Sequence, residues 1–298
     1  MKQLVVLSGK GGTGKTTVTA AIGHLASTEG PVLFVDADVD ASNLELLLSP
    51  ELQAKESCFA GETARIDPAR CNGCGACAEV CRFDAVREGD AFSVDPVACE
   101  GCRACCYACP CDAITTEPVQ AGEVYRSETP YGPLFHARLL PGRENSGKLV
   151  TAVRRAAAEW AKDRPADLVL IDGPPGIGCP VIAASTGVDL ALVVTEPTLS
   201  AIHDLERALQ TASHFGIPAA VCINKSDLNE RRTEEIENAC RKRDVDVIGW
   251  IPYDLGAQRA VVARVPVTTC VEGGLELTLR RLHGELAQRL SRHEQDIR

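Results

Sequence analysis

Three groups of residues in this sequence have the type and spacing to do chemistry. The first is SGKGGTGKTT at 8–17, in which residues 9–16 fit G-x-x-x-x-G-K-[ST]. Glycines in such a loop let backbone N–H groups wrap a phosphate chain, and the helix that follows adds the partial positive charge of its N-terminus. Lys15 stands where terminal phosphates need a cation, and Thr16 where Mg²⁺ needs a hydroxyl. Lys10 is a second lysine that this chemistry alone does not require. The second group is a pair of cysteine runs, Cys71, Cys74, Cys77 and Cys81, then Cys99, Cys102, Cys105 and Cys109. Both runs are spaced C-x2-C-x2-C-x3-C, and thiolates at this density suit iron–sulfur clusters. A structural zinc would be satisfied by two C-x2-C pairs. The third group is acids at the ends of apolar runs: Asp36 and Asp38 in VDADVDASN, and Asp172 in LVLIDGPPGIG.

These residues need elements to position them. Residues 3–7 form a short buried-strand run feeding the loop, and residues 15–28 have helical apolar spacing. VLFVD at 32–36 is a second apolar strand, with further runs at 168–172, 190–195, 219–224 and 245–251. Helical stretches at 200–215 and 233–243 separate them. Strands alternating with helices predict an α/β fold, a parallel sheet covered by helices on both faces. The alternation breaks between about 57 and 118, where aliphatic runs thin out and most cysteines gather. This reads as a small α+β domain at 58–118 inserted into a larger domain made of 1–57 and 119–298. Residues 123–140 read as two strands turning at 130–133, 148–161 as a helix, and Glu88-Gly89-Asp90 as a tight hairpin turn.

Composition narrows the partners. The chain has 298 residues, 45% of them apolar, and a net charge of -10. That acidity argues against general binding to nucleic acid or anionic membrane. MKQLVVLS is too short for a signal peptide and no spanning segment follows, so a cytoplasmic location is expected. In such a compartment the 15 cysteines point to metal rather than disulfides.

The loop KGGTGKTT resembles the deviant Walker A loop of the MinD/ParA/Mrp family, which includes the nitrogenase iron protein. The resemblance implies a P-loop NTPase fold, ATP and Mg²⁺ as ligands, and a homodimer, or a heterodimer with a related ATPase, that sandwiches the nucleotides. Lys10 would be the signature lysine that reaches the partner's nucleotide. Gly11, Gly12, Thr13, Gly14, Lys15, Thr16 and Thr17 would cradle the phosphates. Asp38, in switch I, would orient the attacking water. Asp36 and the Walker B acid Asp172 would hold the Mg²⁺ shell with Thr16. Asp40 reads as a cap of the following helix. INKSD at 223–227 is the N-K-x-D string by which many GTPases read guanine. Together with the loop and the family-like segment IPYD at 251–254, the resemblance favours ATP, with Asn224, Pro252 and Asp254 at the base. A third reading has Asp227 cap the next helix.

The cysteine segment resembles a bacterial ferredoxin, in which the fourth cysteine of each run ligates the other cluster. That implies one [4Fe-4S] cluster on Cys71, Cys74, Cys77 and Cys109, and a second on Cys81, Cys99, Cys102 and Cys105. Arg82 follows Cys81 where a ferredoxin usually has proline, and a cation there would raise the cluster potential. Cys106 and Cys111 are read as non-ligands, and Cys58, Cys222, Cys240 and Cys270 as packing residues. Cys179 lies at the offset of the iron protein's interface cysteine, but Glu144-Asn145-Ser146-Gly147 offers no second one, so it reads as a small apolar filler. The six histidines, His293 among them, show no metal-ligand spacing. The leucines of residues 275–290 read as a final helix packed on the sheet.

The expected function is nucleotide-gated electron transfer through two clusters to an unknown redox partner protein. One alternative is an iron–sulfur or metal-centre maturation ATPase acting on an apo-metalloprotein. Another is a ParA/MinD-type positioning ATPase with a cluster sensor.

Overall fold

The computed structural model describes residues 1–89, 91–143 and 145–296. Asp90 of the expected hairpin turn, Glu144, and the side chain of His293 lie outside what is described. In chain order the first half carries β1 (Lys2–Ser8), α1 (Lys15–Ser27), β2 (Val32–Asp36), α2 (Glu45–Leu48), β3 (Glu51–Ile66), α3 (Ala76–Glu79), β4 (Val86–Arg87), β5 (Ser93–Val94), α4 (Ala104–Ala108), β6 (Ile114–Thr129) and β7 (Gly132–Leu139). Then follow α5 (Ser146–Ala161), β8 (Leu168–Pro175), α6 (Cys179–Ser185), β9 (Leu190–Thr195), α7 (Leu199–His214), β10 (Ala219–Asn224), α8 (Glu230–Arg241), β11 (Val247–Ile251), α9 (Leu255–Ala263) and α10 (Gly274–Asp296). The chain forms two compact units. The larger is Met1–Glu56, Val124–Arg138 and Ser146–Arg298; the smaller is Ser57–Glu123 and Leu139–Asn145.

The large sheet runs β11-β10-β9-β1-β8-β2-β7-β6-β3. From β11 to β7 every pairing is parallel. The inner strands are continuous apolar runs because both faces are covered, so no alternation with polar residues is needed. Successive side chains point to opposite faces. Leu192 accordingly joins a core with Val18, Ile22 and Leu25 of α1 and Leu279, Leu282 and Leu286 of α10. Its neighbour Val193 packs on the other face with Leu205 and Leu209 of α7 and Ile236 of α8. The final helix is core, as its leucine spacing implies.

Two features lie outside the parallel run: the hairpin expected at 123–140 and an unexpected edge strand. β6 and β7, joined by Pro130 and Tyr131, form a hairpin at its margin, closed by Thr129 Oγ1 donating to the Gly132 carbonyl at 2.6 Å. β3, which no apolar run announces, is the edge strand, and ELQAKES at its start is largely exposed. Polar, charged residues suit an edge because they deter pairing with another chain. In the smaller unit β4 and β5 pair antiparallel, and Ala64, Cys77 and Ile114 form a small core with Ile66, Phe92 and Val94.

Leu282 tests the packing of α10. Leu282→Ala is expected to lower the unfolding free energy by about 2–5 kcal/mol, through lost burial and a residual cavity. Urea unfolding measures it, and a change under about 0.5 kcal/mol, the size of an ordinary surface substitution, would place this helix outside the core.

Candidate functional site

Parallel strands deliver their carboxyl ends to one edge of the sheet, where a crevice opens. There Ser8 hands the chain to the loop, and Gly12 and Gly14, at φ 82° and 89°, take left-handed backbone that a side chain would oppose. A Cβ on Gly14 would also stand 2.3 Å from Asn224 Nδ2. A cavity of about 580 Å³ is lined by Gly11–Thr17 together with Asp38, Asn43, Pro174 and Gly178. The loop, the Asp38 segment and the Gly-Pro-Pro-Gly turn after Asp172 therefore meet at one space.

Asp172 is almost wholly buried at its base. Thr16 Oγ1 donates to Asp172 Oδ2 at 2.7 Å and Thr19 Oγ1 to Oδ1 at 2.8 Å. Lys15 Nζ stands 2.9 Å from Oδ1 and 3.7 Å from Asp38 Oδ2. Burial lowers the Lys15 pKa, but Asp172, then Asp36 and Asp38, outweigh it and hold the ammonium above its usual range. Asp172 engages at most one of the three donors of this ammonium, so the others remain available to an anion. Asp36 sits opposite Asp172 in the register of β2 and β8. Burial, then the Asp172 charge, pushes Asp36 up to about 7. Its oxygens accept from Asp38 N, Ser42 Oγ, Asn43 N and Leu44 N at 2.7–3.1 Å, which folds the switch turn around it. That turn corrects the reading of Asp40. The N–H groups ahead of α2 are taken by Asp36, and Asp40 is exposed. Asp38 lines the cavity, and burial raises its pKa above the usual carboxylate value.

A second cavity, about 230 Å³, is lined by Thr17, Val18, Asn224, Pro252, Tyr253, Asp254, Val261 and Leu279. Asn224 Nδ2 donates to the Thr13 carbonyl at 2.7 Å, and Lys225 Nζ to the Gly12 carbonyl at 3.2 Å. Both thus brace the phosphate loop. Asp227 does not cap α8: Asn229 does, accepting from Arg232 N, while Asp227 accepts from Tyr253 N at 2.6 Å. Sequence reasoning missed Glu196, just past β9, which pairs with Lys10 at 2.8 Å and Lys225 at 2.7 Å. An acid at the carboxyl end of a strand beside β1 was the available signal.

The cysteines divide by environment. Burial pushes Cys222 up to about 12 and Cys240 to about 11, which makes both inert packing residues. Cys179 and Cys270 are exposed, so neither is the apolar filler expected. In the smaller unit, burial raises Cys77, and the nearby Cys71 and Cys109 sulfurs add to the rise. Burial pushes Cys105 up to about 12, with Cys106 and Cys99 contributing. Ala113 N donates to Cys109 Sγ at 3.3 Å and Ala64 N to Cys99 Sγ at 3.5 Å. Among the described residues, no three His, Cys, Asp or Glu side chains converge closely enough to hold a single metal ion.

A strand, a glycine loop with Lys-Thr, a helix and a strand-end acid on that hydroxyl define a P-loop nucleotide-binding protein. Residues 4–267 match the CobQ/CobB/MinD/ParA nucleotide binding domain, and the chain belongs to that family. It is 35% identical over 229 residues to an uncharacterized protein of Methanocaldococcus jannaschii, covering 76% of this chain and 79% of that one. The iron-sulfur cluster carrier protein of Pyrococcus horikoshii is 29% identical over 136 residues, 41% of this chain and 45% of that one. In fold it is similar to the septum site-determining protein MinD of Pyrococcus horikoshii with Mg-ADP. The TM-score is 0.60 at 18% identity, covering 96% of this chain and 95% of that one. The MinC:MinD complex of Aquifex aeolicus aligns with a TM-score of 0.59 at 18% identity, over 97% and 96% of the two chains.

The raised Asp36 carboxyl makes a signed prediction for metal-free protein. Between its ordinary value of 3.8 and about 7 the native state keeps a proton that the unfolded chain has released. This group's contribution to stability therefore falls as pH rises through that window. Denaturation in chelator should show the wild type losing stability relative to Asp36→Asn from about pH 4 to 7. Parallel curves would remove Asp36 as the source.

Proposed function

We propose that this family member hydrolyses ATP as a nucleotide-gated dimer, and that its cysteine-rich unit carries two [4Fe-4S] clusters through which electrons pass to an acceptor protein. The ATPase part rests on one observation: the buried Lys15 ammonium, paired with Asp172 and with donors to spare, in a cavity bounded by the Asp38 segment and the Gly-Pro-Pro-Gly turn after Asp172. Terminal phosphates would take its free donors. Thr16 and Asp172, already 2.7 Å apart, would share Mg²⁺, with Asp36 behind them fixing the turn that carries Asp38. Asp38 would orient the attacking water. Positioning and charge neutralisation are what phosphoryl transfer requires. Lys10 would reach the partner's phosphates. The apolar cavity at Pro252 and Asp254 would take adenine; Asp227, the acid that would read guanine, does not line it and accepts the Tyr253 N–H.

The cluster part rests on the doubled cysteine spacing. A four-iron cube with one thiolate per iron keeps its sulfurs further apart than a single ion does, so the lack of a single-ion site is compatible with it. Cys109 of the second run lies near Cys77 of the first, as Cys71 does, in keeping with the crossed ligand set of Cys71, Cys74, Cys77 and Cys109. The N–H groups on the Cys109 and Cys99 sulfurs are of the kind that tunes cluster potential. When bound, the clusters would accept and release single electrons. The likeness to an iron-sulfur cluster carrier favours a second reading, cluster delivery to an apo-metalloprotein. Positioning at a membrane has less support, because every α10 leucine except Leu277 is buried in the core.

Anaerobically purified protein is expected to hold about eight irons per chain. Its ATPase activity should exceed its GTPase activity and fall about a hundredfold or more in Asp38→Ala, while that variant stays dimeric with Mg-ATP. Iron content near zero would remove the redox reading; retained turnover in Lys15→Ala would remove the ATPase reading. Clusters that leave for an apo-acceptor during incubation would favour delivery over electron transfer.

A further inference from the structure

Lys10 is held by its own subunit. Its Nζ pairs with Glu196 Oε1 at 2.8 Å and donates to Thr198 Oγ1 at 3.0 Å and Ser200 Oγ at 3.2 Å. An ammonium has three donors, and three acceptors meet it. The other Glu196 oxygen takes Lys225 at 2.7 Å, and Lys225 also reaches the Gly12 carbonyl. Burial would raise the Glu196 pKa, but the two lysines hold it below the usual range and keep the carboxylate charged. One negative charge thus faces two positive ones. If Lys10 leaves, Glu196 keeps Lys225 and no carboxylate is stranded, which avoids the penalty of a half-buried unpaired charge. The arrangement is built to release Lys10 and not Lys225, whose departure would also free the loop carbonyl.

We propose that Glu196, with Thr198 and Ser200, is a positioning residue that stores Lys10 on its own subunit and sets how much phosphate charge a partner must present before Lys10 crosses. This rests on the pairing role given to Lys10 above. A lysine whose donors are filled within its own chain does not serve a neighbour until a stronger anion draws it off. A triphosphate draws harder than a diphosphate, so the clasp discriminates between the two and keeps ADP-loaded subunits apart.

The test is the dimer dissociation constant of the full-length holoprotein, by sedimentation with Mg-ADP or a non-hydrolysable ATP analogue. It is measured for the wild type, Glu196→Gln, Ser200→Ala and Lys10→Ala. Loss of one partly exposed ion pair in each subunit predicts about tenfold tighter ATP-state pairing for Glu196→Gln, and pairing with Mg-ADP at concentrations where the wild type is monomeric. Ser200→Ala, which leaves Lys225 and the loop untouched, should shift the same way by a smaller factor. Unchanged or weaker pairing in both variants overturns the proposal. If Glu196→Gln is poorly folded, Ser200→Ala alone decides it. A wild type that stays monomeric with the analogue, or a Lys10→Ala protein that pairs as well as the wild type, overturns the pairing reading and this proposal with it.

Discussion

The loop end of this sheet is organised by one buried carboxylate. Asp172 accepts two threonine hydroxyls and neutralises Lys15, all three from the first turns of α1. None of these groups would be stable alone in that place. Leaving one member of a buried ion pair without its partner costs about 3–5 kcal/mol. The pairing therefore fixes the register between β8 and the helix that begins at Lys15, and with it the height of the loop above the strands.

From that constraint the rest of the site follows. β2 lies beside β8 in register, so Asp36 arrives next to Asp172. Two carboxylates side by side repel, and Asp36 is accommodated by Lys15 and by four hydrogen bonds from the turn after it. Those bonds tie the backbone of residues 38–44 to the buried charge cluster of Asp36, Asp172 and Lys15. On the other side of β1, Glu196 gathers Lys10 and Lys225, and Asn224 holds the Thr13 carbonyl. The loop is gripped below by acids and along its rim by the ends of β9 and β10.

What was hard to read in the sequence had a physical cause in each case. β3 went unseen because an exposed edge strand has no buried face to mark it with alternating apolar residues. β6 begins at Ile114, before the hairpin stretch, because residues 115–120 are mostly polar or exposed and no apolar run marks that part of the strand. Asp227 and Asn229 compete for the start of α8, and spacing alone does not say which one turns toward the helix; Tyr253, brought in by β11, takes Asp227 away. Cys179 and Cys222 look alike in sequence, yet one is exposed and the other has no solvent contact.

The sequence by itself determined the phosphate loop, the strands that are buried on both faces, the final helix and the paired cysteine runs. Each of these depends on residues close together in the chain, whose spacing is dictated by backbone geometry or by ligand reach. Only the tertiary structure decided which distant groups meet. Thr16 and Asp172 are 156 positions apart, and Lys10 and Thr198 are 188 apart. Such contacts are set by strand order and by the electrostatic demand that buried charges find partners, and neither leaves a mark in the local pattern of residues.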